Sequence, residues 1–200
     1  MKKIEKAILF GLILSIIVGN FSVFASDCNT IRSNVLRLHI LANSDSEADQ
    51  ALKLKVRDRI LSETGELFES ASGLENAEEA ARQSLQYVKL IAENEIQKQG
   101  YDYPVSVELC NMFFNTRQYE EVTMPAGRYD AVRITIGEAK GQNWWCVLYP
   151  PLCIPAAQPQ QELDQVLSQE EMAVVNASPK YEVRFAFIEL FERIKEAFSK

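Results

Sequence analysis

The single histidine of the chain, His39, restricts the chemistry that the sequence can support. A Ser or Cys hydrolase needs a base beside its nucleophile, and a multi-histidine metal centre needs several imidazoles. His39 lies in an alternating run that is typical of a strand, which indicates a structural role. We therefore expect no catalytic residue of these classes, no metal ligand and no cofactor.

Acidic residues are the remaining source of catalysis, because glycoside hydrolysis uses two carboxylic acids. The chain holds 28 Asp and Glu residues, and no spacing singles out a pair. A secreted hydrolase that acts on cell-wall material with an unidentified carboxylate pair therefore stays open as an alternative. Its first candidates are the acids of predicted strands and turns, Glu108, Asp130 and Glu138.

The overall charge argues against nucleic acid as a partner. The chain has 21 Lys and Arg residues and a net charge of −7, so a phosphate backbone offers it little electrostatic attraction. One local run is basic, and we interpret it as a solvated helix face. It consists of Lys53, Lys55, Arg57 and Arg59.

Residues 1–25 have the layout of an export signal. A lysine-rich start precedes an apolar stretch over 7–18, and Val23 and Ala25 stand at positions −3 and −1 of a cut after Ala25. This pattern favours a cleaved signal peptide. An uncleaved anchor is the alternative, because 7–25 is nearly long enough to span a bilayer. Both interpretations predict an exported domain over 26–200.

Export bears on the four cysteines. An oxidising compartment permits disulfides, and Cys146 and Cys153 are close enough in sequence to close a short loop. We therefore expect this pair to be bridged. Cys28 and Cys110 are either a second bridge or two thiols.

Hydrophobic periodicity predicts a single α+β domain in which several helices pack against an antiparallel sheet. Gly65 is interpreted as part of a connection, and turn residues at 125–127 and 137–141 indicate antiparallel hairpins. The predicted elements are a strand over 34–43, helices over 45–62 and 76–99, strands between 103 and 151, a short helix ending near 171 and a terminal helix capped by Ser178.

The terminal helix carries an apolar stripe, which we expect to dock onto the sheet. A role at a membrane surface is disfavoured because Glu182, Glu189, Glu192 and Glu196 interrupt the basic polar face that such a helix needs. Membrane contact is thus expected only through the N-terminal segment, if it is uncleaved. The stripe consists of Phe187, Ile188, Phe191, Ile194 and Phe198.

Adjacent tryptophans in a predicted strand, Trp144 and Trp145, point to opposite faces of the sheet. Both are buried only if the sheet is covered on both sides. Otherwise one tryptophan is exposed and becomes an anchor for a partner.

Three strings of the sequence resemble the stage II sporulation protein R family of endospore-forming bacteria. They are RLHILANSDSEADQALK over 37–53, PAGRYDAV over 125–132 and NWWCVLYPPLC over 143–153. The resemblance implies a signalling protein made in the forespore and exported into the space between the two membranes around it. It further implies activation of a membrane-embedded aspartic protease of the mother cell, which then cleaves the sigma-E precursor.

The same resemblance supplies candidates for contact with that protease. They are Arg37, Asn43, Ser44, Asp45, Arg128, Tyr129, Trp144 and Trp145. A further alternative keeps the N-terminal segment as an anchor and makes the domain a structural partner at the septal membrane.

Overall fold

The computed structural model describes residues 3–119, 122–152, 163, 166–176 and 182–198. The chain separates into two compact units, and each is described by itself. The larger unit comprises 33–114 and 128–166, and the smaller unit comprises 1–32, 115–127 and 167–200. The described elements are helices and strands in one α+β chain, as the sequence predicts.

A four-stranded sheet forms the centre of the larger unit, with two long helices in sequence between its first two strands. The strand order is β2-β5-β1-β6. The strands are β1 (Leu36–Leu41), β2 (Val105–Phe114), β5 (Gly127–Ile136) and β6 (Asn143–Tyr149), and the helices are α2 (Glu47–Glu69) and α3 (Leu74–Lys98).

The sheet is mixed, so the prediction of an antiparallel sheet is wrong in one respect. Strand β1 is parallel to β5, with Leu38 opposite Val132, and antiparallel to β6, with Leu38 opposite Cys146. The predicted hairpin between β5 and β6 does not form, because β1 lies between them. A parallel pair needs a long crossover, and α2, α3 and β2 supply it between β1 and β5.

One face of the sheet packs against the two helices. Leu36, Leu38 and Ile40 alternate along β1 and are each at most 1% exposed. The same core contains the inward positions of the helices and of the neighbouring strands. They include Leu52, Val56, Ile60, Val88, Ala92, Ile96, Val132 and Ile134.

Helix α2 differs from its prediction at both ends. It begins at Glu47 rather than at 45, because Ser46 is the N-cap and its side chain accepts a hydrogen bond from the Asp49 amide. The helix also continues through Gly65 to Glu69, where a connection was expected. A glycine within a helix costs about 1 kcal/mol, and burial of the next turn, including Phe68 at 2% exposure, offsets that cost. Gly100, with φ of 83°, follows α3 at the predicted stop.

The smaller unit is built on the first helix. It contains α1 (Lys3–Arg32), the antiparallel pair β3 (Arg117–Tyr119) and β4 (Val122–Met124), and helices α4 (Gln169–Val175) and α5 (Glu182–Phe198). α1 is one continuous helix that passes through Ala25 without a break.

The two halves of α1 have opposite surroundings. Its first half exposes an apolar surface, from Ile4 at 72% to Val18 at 55%, whereas Phe24, Cys28 and Ile31 are buried in the smaller unit. The helix is long and apolar enough to cross a membrane, a test that a signal sequence also passes.

Contacts within the smaller unit join α1 to α5. The rings of Phe24 and Phe185 meet edge to face at 5.4 Å, and Arg32 pairs with Glu192 at 3.1 Å. Arg32 also donates to the Ala126 carbonyl at 2.7 Å. A buried ion pair requires such additional hydrogen bonds, because two charges lose their hydration together.

The predictions for the C-terminal third are partly outside the described residues. The start of the predicted short helix, the Ser178 cap and Cys153 all fall on residues that the structure does not describe. The described helix α4 begins at Gln169 behind a capping box of Ser168 and Glu171.

The stripe of α5 does not dock as expected. Ile188 is buried, whereas Phe187, Phe191, Ile194 and Phe198 are 48–88% exposed. The prediction that the whole stripe docks onto the sheet is therefore wrong. A period of 3.6 identifies an apolar face without identifying what covers it.

Candidate functional site

A network of polar groups joins the end of β1 and the start of α2 to the loop between β5 and β6. We call it the polar loop cluster, defined as 42–53 together with 137–142. Its backbone contacts run across the end of β1, where Lys140 donates to the Asn43 carbonyl and Gly141 to the Ala42 carbonyl. The loop thereby passes over the strand that separates β5 from β6.

Asn43 is the pivot of the polar loop cluster. Its side-chain oxygen accepts from the Glu138 amide at 2.9 Å, and its side-chain nitrogen donates to Asp49 Oδ2 at 2.9 Å. Gly137, with φ of 60°, leaves room for this amide, because a Cβ at Gly137 would overlap the Asn43 side chain. The position needs glycine for both its backbone conformation and its close approach.

Asp49 is a buried carboxylate with a full set of donors. Ser44 donates to it at 2.5 Å, Asn43 donates to it, and the Tyr103 hydroxyl adds a further hydrogen bond. These bonds, that of Ser44 first, hold the pKa of Asp49 below its ordinary value of 3.8. Asp49 therefore stays ionised at neutral pH and acts as a structural acceptor rather than a proton donor.

Two more side chains close the cluster on the α2 side. Asp45 Oδ1 accepts from the Gln142 amide at 2.7 Å, and Lys53 Nζ donates to the Gln142 carbonyl at 2.9 Å. Lys53 is only 4% exposed, so the prediction of a solvated basic face is wrong at this position. Burial lowers the pKa of Lys53.

The opposite face of the sheet carries an aromatic cluster, defined as Arg37, His39, Phe114, Tyr129 and Trp145. Arg37 is fully buried, and its guanidinium carbon lies 4.5 Å from the Phe114 ring centroid and 5.0 Å from that of Tyr129. Its Nε donates to the Cys146 carbonyl at 3.0 Å. Cation–π contacts and a backbone acceptor together compensate a charge that would otherwise be costly to bury.

His39 lies within this aromatic cluster and is 4% exposed. Its ring meets those of Phe114 and Trp145 edge to face at about 6 Å, and Nε2 is 2.9 Å from Asn143 Oδ1. Burial, helped by the charge of Arg133, lowers the pKa of His39 and keeps the ring neutral. A histidine enclosed in this way supports the sheet and is not placed to act on a substrate.

The eight predicted contact residues fall into different environments. Arg37 and Tyr129 are buried in the aromatic cluster, and Asn43, Ser44 and Asp45 belong to the polar loop cluster. Arg128 is exposed and holds Asn111 through two hydrogen bonds of 2.6 Å. Their role in contact with a protease stays a prediction.

The two tryptophans do point to opposite faces, and both are half-buried. Trp145 contributes to the aromatic cluster. Trp144 packs against the helix-side core, and the Arg57 guanidinium carbon lies 4.1 Å from its ring centroid. Arg57 thus makes a cation–π contact, which the interpretation of the basic run as a solvated helix face did not include.

The acids considered for hydrolysis lie in separate pairs. Glu108 is 3.4 Å from Arg133, and Glu138 is 2.7 Å from Lys140. Asp130 accepts from Asn111 at 3.0 Å and hydrogen-bonds Glu78, whose pKa is raised by burial first and then by Asp130. Sequence spacing did not indicate the Glu78 contact, because it joins α3 to β5.

Metal ligands and thiols are the remaining groups that could carry chemistry. Within the described ranges, no group of three or more His, Cys, Asp and Glu residues is arranged to hold a metal ion. Cys28 and Cys110 are free thiols, so they do not form a second bridge. The Cys146–Cys153 pairing stays a prediction, because Cys153 lies outside the described residues.

Comparison with known proteins identifies the family of the chain. The family model for stage II sporulation protein R matches residues 32–159, which include both clusters. Stage II sporulation protein R of Bacillus subtilis (strain 168) is 35% identical over 158 residues, covering 76% of this chain and 70% of that protein. No solved structure matches the chain. The chain belongs to the stage II sporulation protein R family.

Proposed function

We propose that this chain is an exported sporulation signal that activates a membrane-embedded aspartic protease of the mother cell, which then processes the sigma-E precursor. Family membership carries the proposal. The apolar N-terminal helix supports export, and the buried, neutral His39 supports a binding role over catalysis. Activation by binding requires that the chain prefer the active state of the protease.

A reconstitution experiment tests the proposal. The full chain, the cognate protease and the sigma-E precursor are produced together in a non-sporulating host, and cleavage of the precursor is measured. We expect cleavage to depend on export of the chain. Cleavage that is unchanged when the chain is omitted or retained in the cytoplasm would refute the proposal.

Arg128 offers the sharpest variant for the contact surface, because it is exposed and its removal leaves the core intact. If Arg128 contacts the protease, Arg128→Ala lowers cleavage by about tenfold, which corresponds to about 1.4 kcal/mol of binding. Arg82→Ala on α3 is the matched control, since that side chain is 61% exposed. Equal cleavage by the two variants would remove Arg128 from the contact surface.

The hydrolase alternative has one observation in its favour, the carboxyl pair of Glu78 and Asp130. If the pair is catalytic, Glu78→Gln and Asp130→Asn each abolish signalling while the melting temperature is retained. Glu79→Gln on the same helix serves as the control, because the Glu79 side chain is 59% exposed. Retained signalling in both variants would reject Glu78 and Asp130 as a catalytic pair.

The anchored alternative is favoured by the course of α1. A cut after Ala25 would remove the Phe24 ring from its contact with Phe185. We therefore propose that the helix is retained, and mass analysis of the mature N-terminus tests this. A mature chain that begins at Ser26 would refute retention.

A further inference from the structure

Helix α5 exposes one continuous apolar face. Its large apolar residues recur at spacings of three and four, which places them on one side of the helix. They are 48–88% exposed. They are Val183, Phe187, Leu190, Phe191, Ile194 and Phe198.

The acidic side chains of α5 lie on its other side. Helical geometry of about 100° per residue places Glu189, Glu192 and Glu196 opposite the apolar face. Glu192 is 8% exposed and pairs with Arg32, and Glu189 accepts from the Thr116 amide at 3.0 Å. Glu189, Glu192 and Glu196 therefore lie away from the exposed apolar face, and Glu189 and Glu192 are engaged by groups of the same unit.

Basic side chains border the apolar face along both edges. Arg184 and Lys195 follow one edge and Arg193 follows the other, by the same geometry. All three residues are exposed. An apolar face with basic edges complements the acyl chains and anionic headgroups of a bilayer surface.

The neighbouring helix supplies an independent reason to choose lipid as the occupant. Within the same unit, α5 begins beside Phe24, close to where the exposed apolar part of α1 ends. α1 is long and apolar enough to enter a membrane. We propose that α5 lies in the surface of an anionic bilayer, with its apolar face at the acyl boundary and Arg184, Arg193 and Lys195 at the headgroup phosphates.

Tryptophan quenching in vesicles tests this inference. The full chain is reconstituted in phosphatidylcholine–phosphatidylglycerol vesicles with or without brominated acyl chains. Leu190→Trp adds a reporter on α5, and Leu90→Trp adds one on α3 at nearly the same exposure, 55% against 52%. Subtraction of the fluorescence of the parent chain removes the contribution of the two native tryptophans. We expect brominated lipid to reduce the added signal of the Leu190→Trp variant by about twofold and to leave that of the Leu90→Trp variant unchanged.

A charge variant separates lipid from other occupants. Arg184→Gln combined with Lys195→Gln is expected to lose the dependence of quenching on phosphatidylglycerol, whereas Arg82→Gln combined with Lys89→Gln on α3 retains it. Circular dichroism verifies folding, and Phe191→Trp replaces Leu190→Trp if the latter does not fold.

Two results would overturn the inference. One is equal quenching of the reporters on α5 and α3. The other is shielding of the α5 reporter that occurs only when the protease is added. Either result leaves protease activation untouched, because the reporter measures lipid contact alone.

Discussion

Substitution of Asp49 by Asn tests whether the polar loop cluster holds the larger unit together. The carboxylate accepts hydrogen bonds from Ser44, Asn43 and Tyr103. Asn keeps the shape of the side chain but replaces one acceptor oxygen with a donor group. Asn43 and Ser44 both donate to Oδ2, so an amide nitrogen in that position would face two donors.

The size of the effect follows from the number of bonds lost. A hydrogen bond to a charged group contributes about 1.5–3 kcal/mol, so Asp49→Asn is expected to destabilise by about 3 kcal/mol. At about 3 °C per kcal/mol, the melting temperature falls by about 9 °C. Asp58→Asn is the matched control on the same helix, because Asp58 is 63% exposed in its ion pair with Arg57. An exposed pair contributes less than about 1 kcal/mol.

The pH dependence gives a second, independent signature. Because the folded-state pKa of Asp49 lies below 3.8, its stabilising contribution is present above pH 3.8 and is lost as the pH falls through the folded-state pKa. Urea unfolding of the parent should therefore show a steeper loss of stability below pH 3.8 than Asp49→Asn, by up to about 1.4 kcal/mol per pH unit. Parallel pH profiles, or equal destabilisation by Asp49→Asn and Asp58→Asn, would refute the role assigned to the cluster.

Three further measurements address other parts of the chain. Because the pKa of His39 is lower in the folded chain, the unfolded chain takes up a proton at a higher pH than the folded chain does. The free energy of unfolding should therefore decrease as the pH drops below 6.5, and His39→Gln should flatten that decrease. Urea unfolding between about pH 7 and 5 measures the difference. Gly137→Ala should lower the free energy of unfolding by at least about 2 kcal/mol, because the new Cβ would overlap Asn43 at a positive φ. Ala139→Gly, at φ of 52°, should be neutral or stabilise by up to about 1 kcal/mol. Melting temperatures that shift alike in the two variants would contradict the assigned backbone strain. Thiol titration of the denatured, unreduced exported chain should find the thiols of Cys28 and Cys110 only. Reaction of all four cysteines would reject the Cys146–Cys153 bridge. We expect that bridge to contribute about 2–3 kcal/mol to stability.

The sequence predicted the types of the elements better than their partners. Alternation identified the strands around Leu38, Val132 and Val147, because the side-chain period of a strand is local information. It did not indicate that β1 lies between β5 and β6, since every strand with one apolar face satisfies the same pattern. The choice of neighbours depends on packing of α2 and α3 across the whole core, which no local window contains.

The candidate site shows the same limit. The Asn43–Asp45 segment was recognised as a strand end and helix start, but its contacts with Glu138 and Gln142 join residues far apart in the chain. Lys53 is buried because it donates to the carbonyl of the same distant residue, Gln142, and no local pattern indicates that contact. On α5, the helical period gives the angular positions of the apolar residues and of Glu189 and Glu192. It does not say what covers the apolar face, so the prediction that the whole stripe docks onto the sheet was wrong.

Burial divides the contact candidates and changes how a signalling surface has to be sought. Arg37 and Tyr129 are at most 1% exposed, so loss of signalling on their substitution would report loss of the sheet. Asn43 acts through Asp49 and Glu138, so Asn43→Ala would report the polar loop cluster in the same way. Arg128 is exposed, and its substitution isolates contact from folding. Several residues of the strings that resemble the family therefore support the fold rather than present a surface. A contact surface is established only by variants that lower signalling per folded molecule.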